Sequence, residues 1–122
     1  MELVSDLGGG KTTFVKGLAE GMGSPDMVRS PSFTLHNQYH SDGLTLHHFD
    51  FYRLFEPGEM RDELAEVLQD SQSVVVVEWG HIIHDALPEA HLRIRIQPDG
   101  ETTRRFDFSY PERLKYLLPV NT

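Results

Sequence analysis

Ser5-Asp6-Leu7-Gly8-Gly9-Gly10-Lys11-Thr12-Thr13 decides how this chain folds. Glu2-Leu3-Val4, just before it, reads as the tail of a strand. After it, Phe14, Val15, Leu18, Ala19 and Met22 recur at helical spacing up to a stop at Gly23, ahead of Pro25. A glycine-rich turn between a strand and a helix, closed by Lys and a hydroxyl residue, is the pattern of a phosphate-binding P-loop. The glycines let backbone N–H groups turn inward around phosphate oxygens. Lysine reaches the β- and γ-phosphates, the next hydroxyl holds Mg²⁺, and the helix presents its positive end. Gly10, Lys11 and Thr12 fit this pattern, Gly8 and Gly9 add backbone freedom, and Ser5 stands where the first glycine belongs.

The remaining pattern alternates strand-like and helix-like runs. Phe33–His40 and Leu44–Asp50 flank Ser41-Asp42-Gly43, which predicts a hairpin. Glu56–Gln69 predicts a helix with Pro57 in its first turn and Met60, Leu64, Val67 and Leu68 on one face. Val74-Val75-Val76-Val77 is wholly β-branched, as in strands buried on both faces of a parallel sheet. Leu92, Ile94 and Ile96 alternate with Arg93 and Arg95, then Pro98-Asp99-Gly100 turns the chain into Thr102–Phe108, a second hairpin. Tyr110–Leu118 is expected to close the chain as a helix. The expectation is an α/β fold of the P-loop NTPase type: a mostly parallel sheet flanked by helices, with antiparallel hairpins, in a single domain over residues 1–122. Only a short strand precedes the cradle, so the N-terminus reads as truncated.

In such sheets ligands sit at the carboxyl ends of strands, so catalytic carboxylates should follow apolar runs directly. Glu78 ends Val74–Val77 and Asp50 ends Leu44–Phe49. Glu78, on the strand that reads as central, is the Mg²⁺-side carboxylate; Asp50 would polarise the attacking water or pair with a loop. The seven histidines do not compose a metal site. His47 and His48 point to opposite faces of a strand, and His81 and His84 have no third ligand nearby, so surface or partly buried histidines are expected.

Composition narrows the field further. Eleven basic against nineteen acidic side chains give a net charge of −8, which on average repels a polyanion and argues against a direct grip on nucleic acid. Arg93, Arg95, Arg104 and Arg105 are the densest basic positions and form a patch only if they share a face. No apolar run approaches the ~18 residues needed to cross a bilayer. The absence of cysteine excludes disulfides and suits a reducing, cytoplasmic compartment.

In order, Asp6–Val15, Ser30-Pro31-Ser32-Phe33-Thr34-Leu35, His48-Phe49-Asp50-Phe51-Tyr52-Arg53-Leu54 and Val77-Glu78-Trp79 resemble the bacterial TsaE family. The resemblance runs from Asp6 to Trp79 and weakly beyond. It implies a small Mg²⁺-dependent ATPase of tRNA threonylcarbamoyladenosine biosynthesis that drives or resets a complex of TsaD- and TsaB-like partners. It also implies ATP as cofactor, Lys11, Thr12 and Thr13 as phosphate and Mg²⁺ residues, Ser30–Thr34 as a switch-like loop, Asp50 and Glu78 as the acidic pair, and Trp79 near the nucleotide. The chain departs from the family at Ser5 for Gly, Gly9 for Ala, Ser32 for Thr and Gly80 for Pro. Two rival readings are a P-loop kinase acting on a small acceptor and an adaptor that senses nucleotide without hydrolysing it.

Overall fold

Six strands pair side by side in one sheet, and the chain visits them out of spatial order. The computed structural model describes residues 1–5, 10–28, 36–50, 58–78, 87–88 and 91–118. Within them run β1 (Glu2–Val4), α1 (Lys11–Gly21), β2 (His36–Ser41), β3 (Leu44–Asp50), α2 (Gly58–Leu68), β4 (Ser73–Glu78), β5 (Arg93–Pro98) and β6 (Arg104–Ser109). A 3-10 helix follows over Glu112–Leu117.

The spatial order is β2-β3-β4-β1-β5-β6. The inner pairings β3·β4, β4·β1 and β1·β5 are parallel, and antiparallel hairpins add β2 and β6 at the edges. The valine run therefore occupies the middle of the sheet, as its composition predicts. Gly43, at φ 77°, takes the left-handed conformation in the tight connection between β2 and β3.

Strand alternation sends side chains to two faces, and each face is covered by a helix. Leu3, Leu46, Val76, Ile94 and Ile96 pack against Val15 and Ala19 of α1, with Phe14, Leu18 and Met22 at the margins. Phe49, Val75 and Val77 pack against Leu64 of α2, flanked by Val67 and Leu68. The apolar positions expected on each helix, Met60 aside, are thus the ones it buries. No helix among the described residues is long and apolar enough to cross a membrane.

The structure departs from expectation at the C-terminus and answers the condition left open for the β5–β6 hairpin. The segment expected as a closing helix over Tyr110–Leu118 forms a 3-10 helix of six residues with no buried side chain, entered from Pro111 in an extended conformation. So short a segment, with only Leu114 and Leu118 partly covered by the core, gains too little to sustain an α-helix. The arginines of the β5–β6 hairpin also divide. Register pairs Arg95 with Asp107 and Gln97 with Arg105, so Arg93, Arg95 and Arg105 lie on the face away from α1, and Arg104 lies on the α1 face. Arg105 meets Asp107 at 3.1 Å and Arg93 approaches Glu2 at 3.9 Å, so carboxylates interleave the basic positions.

Candidate functional site

Gly10 closes the cradle at the helix start with φ 100° and ψ 13°. No atom lies where a Cβ would stand, so the requirement for glycine here is conformational: the left-handed region strains any L side chain by roughly 1–2 kcal/mol. The Gly10 carbonyl accepts the first helical bond, from Phe14 N at 3.0 Å, and no side chain caps the helix. The first-turn N–H groups of α1 therefore have no partner within the helix, the condition for an anion site. Gly8, Gly9, the Ser30–Thr34 segment and Trp79 lie outside the described residues.

Lys11 opens the helix and its side chain is only 8% exposed. Nζ donates to the Ser5 carbonyl at 3.3 Å and stands 3.4 Å from Glu78 Oε1. The lysine thus joins the end of β1 to the end of β4. Thr12 is half-buried beside it and Thr13 is exposed.

Asp50 and Glu78 are direct partners across β3 and β4, both buried at the carboxyl ends of their strands. Parallel neighbours lie about 4.8 Å apart, so the pair forms one acidic step on the α1 face. Two carboxylates and the Thr12 hydroxyl supply hard oxygen donors, and set against the one ammonium they leave negative charge in excess. That chemistry suits Mg²⁺ and not a soft thiophilic metal. The structure thus brings Lys11 to Glu78 and sets Asp50 beside Glu78 on the neighbouring strand, with Gly10, Thr12 and Thr13 adjoining Lys11 along the chain.

One functional neighbour escaped the sequence reading. His48, expected at the surface or half-buried, is wholly buried, and its Nε2 hydrogen-bonds Glu78 Oε2. Strand alternation carries the signal, since His48 lies two residues before Asp50 and shares its face. His47 is buried too, on the opposite face. His36 links Glu63 Oε1 through Nδ1 at 2.8 Å to His47 Nδ1 through Nε2 at 3.0 Å, and stacks on Phe49 at 4.0 Å. Burial pushes the His47 pKa down, His36 and His40 push the same way, and Asp70 and Glu63 oppose them.

Beside the cradle a hollow of about 730 Å³ opens between α1 and the β5–β6 hairpin. Gly10, Thr13, Phe14, Glu101, Arg104 and Phe106 contribute to its walls. Phe14 and Phe106 meet there with ring centroids 5.9 Å apart.

Comparison with known proteins gives one consistent result. The family model of threonylcarbamoyl adenosine biosynthesis protein TsaE matches residues 1–106. The tRNA threonylcarbamoyladenosine biosynthesis protein TsaE of Bacillus subtilis is 40% identical over 89% of this chain and 68% of its own length. That of Haemophilus influenzae is 36% identical over 77% of this chain and 60% of its own length. The crystal structure of Bacillus subtilis YdiB superposes with a TM-score of 0.73 and 35% identity, over 95% of this chain and 71% of that one. With the family model matched over residues 1–106 and the P-loop architecture shared, the chain belongs to the TsaE family of threonylcarbamoyladenosine biosynthesis proteins.

Proposed function

We propose that this chain is a cytoplasmic Mg²⁺-dependent ATPase supporting tRNA threonylcarbamoyladenosine modification. It would do so by binding, and driving or resetting, a complex of TsaD- and TsaB-like proteins. The observation that carries the reading is Lys11 paired with Glu78 at the mouth of an uncapped helix whose cradle closes on left-handed Gly10. An ammonium, the N–H groups of a helix N-terminus and two strand-end carboxylates are what phosphoryl transfer requires of a protein, because catalysis there is mainly positioning and charge stabilisation.

Lys11 turns from Glu78 to the phosphates, and the α1 N-terminus with the Gly8–Gly10 backbone holds their remaining oxygens. Thr12 and Glu78 are the residues that would hold Mg²⁺, whose chemistry in such a site is to neutralise charge on phosphate oxygens. Asp50, beside Glu78, orients and polarises the attacking water. The hollow at Gly10 falls within the ~300–1,000 Å³ range of small-ligand pockets, and its aromatic walls suit the nucleoside.

The net charge of −8 and the division of the hairpin arginines between two faces support partner-mediated action on tRNA. The deciding experiment measures phosphate release with and without a TsaD–TsaB-like complex, together with affinity for that complex in ATP and ADP. Stimulated release and tighter binding in ATP are expected. Phosphate appearing on an added small acceptor would make the chain a kinase, and nucleotide binding without release would make it a sensing adaptor. Submicromolar tRNA binding by the isolated chain, lost on neutralising Arg93, Arg95 and Arg105, would make it a direct RNA binder.

A further inference from the structure

His48 has no part in the reading above, yet it touches the centre of the site. It is completely buried, on the α1 face of β3, one alternation step behind Asp50. Its Nε2 engages Glu78 Oε2 while Lys11 Nζ stands on Oε1. The two oxygens of one carboxylate are thus held by different elements, one by the sheet and one by the helix.

The other ring nitrogen, Nδ1, is buried and has no hydrogen-bond partner. This fixes the tautomer by hydrogen-bond logic: Nε2 carries the proton and donates it to Glu78, since an N–H on Nδ1 would be a buried donor without an acceptor. It also argues against a purely structural role. A leucine or phenylalanine would fill the same space without a desolvated, unmatched nitrogen.

The two holds on Glu78 differ in permanence. Lys11 is the residue a phosphate recruits, so its contact with Oε1 lapses when nucleotide enters. The described structure gives His48 no second partner to turn to, so its bond to Oε2 persists. We infer that His48 is a positioning residue for Glu78, pinning Oε2 so that Oε1 keeps its aim when Lys11 moves to the phosphates. The terminal torsion of a glutamate is broad and roughly two-fold, so without the pin the carboxylate swivels. Metal-free nucleotide capture by Lys11 and the backbone does not depend on that aim, whereas the hold on Mg²⁺, and with it turnover, does. The kinetic part of this inference rests on the ATPase reading; the pin itself does not.

Two measurements on the intact chain test it. In nucleotide-free protein, long-range ¹H–¹⁵N spectra of the His48 ring should show a protonated Nε2 and a bare Nδ1, with the Nε2 signal moving strongly in Glu78→Ala. A protonated Nδ1, or a ring indifferent to Glu78→Ala, overturns the inference. The second measurement compares His48→Phe with His48→Gln, whose amide reaches nearly as far as Nε2. Without Mg²⁺, His48→Phe should bind a fluorescent ATP analogue within about threefold of wild type, yet with Mg²⁺ it should release phosphate at least about tenfold more slowly. His48→Gln should regain most of the rate. Equal losses in both variants, or none in either, overturn the inference. If wild type binds nucleotide and releases no phosphate under any condition, the ATPase reading fails instead, and the spectra alone decide the pin. They also decide it if His48→Phe does not fold.

Discussion

Removing the charge of Lys11 while keeping its stem, Lys11→Met, isolates what the lysine does before any ligand arrives. Nζ and Glu78 Oε1 are 3.4 Å apart with both side chains under one tenth exposed. At an effective dielectric constant near 20, two unit charges at that distance attract by about 5 kcal/mol; in bulk water the figure is about 1 kcal/mol. Desolvation of both groups offsets much of the larger value. The asymmetry lies in the single variants. Lys11→Met leaves a buried carboxylate with His48 as its remaining partner at the site, and should destabilise the nucleotide-free chain by about 3 kcal/mol, the lower end for uncovering a buried charge. Glu78→Gln takes the Glu78 charge away from a buried ammonium and should destabilise the chain as well. The double variant buries neither charge, so the four proteins should show a coupling of about 1–3 kcal/mol, the double being less destabilised than the two singles added. Urea unfolding followed by far-UV circular dichroism, without nucleotide, measures all four. Additivity within about 0.5 kcal/mol would refute the idea that Lys11 and Glu78 are energetically coupled in the nucleotide-free chain.

The acidic pair should separate by role: Glu78→Gln should weaken the Mg²⁺ dependence of nucleotide binding, whereas Asp50→Asn should spare binding and slow phosphate release at least about tenfold, and the reverse pattern would exchange the assignments. Leu64 is fully buried where α2 meets the sheet, so Leu64→Ala should destabilise by about 2–5 kcal/mol in chemical denaturation, with nucleotide affinity of the folded fraction unchanged. The lowered His47 pKa means that the unfolded chain binds the proton more readily. Its stabilising contribution is present above the unfolded value near 6.5 and is lost as pH falls toward the folded value. Wild type should therefore lose stability between about pH 7.5 and 5.5 more steeply than His47→Gln, and parallel slopes would remove His47 from the pH response.

Legibility in the sequence followed the range of the forces involved. The cradle, the valine run and the Asp42-Gly43 turn are local, each written in consecutive residues whose conformational preferences agree with their place in the fold. The carboxylates could be found because a strand end is a local position with a global meaning in parallel sheets. The His48–Glu78 contact could not, because it depends on β3 and β4 pairing in the register that sets Asp50 opposite Glu78. The same holds for His36, His47 and Glu63, drawn from β2, β3 and α2. The fate of the arginines turned on a single step of register in the β5–β6 hairpin, which no composition count fixes. Tyr110–Leu118 misled because its apolar residues do recur, yet only Leu114 and Leu118 pack partly against the core while Tyr116 and Leu117 stand exposed.

The position of β1 in the sheet has a consequence for biosynthesis. Glu2 pairs with Val77 on one side and Arg93 on the other. The β2–β3 and β5–β6 hairpins can close as soon as their own residues leave the ribosome. The strand that carries the cradle acquires no neighbour until β4 has emerged, and lacks its second until β5 follows. Loop closure over such separations is slow compared with hairpin formation. In a nascent chain β1 therefore stays unpaired with its eventual neighbours through most of translation, and is flanked only when nearly the whole sheet has been made.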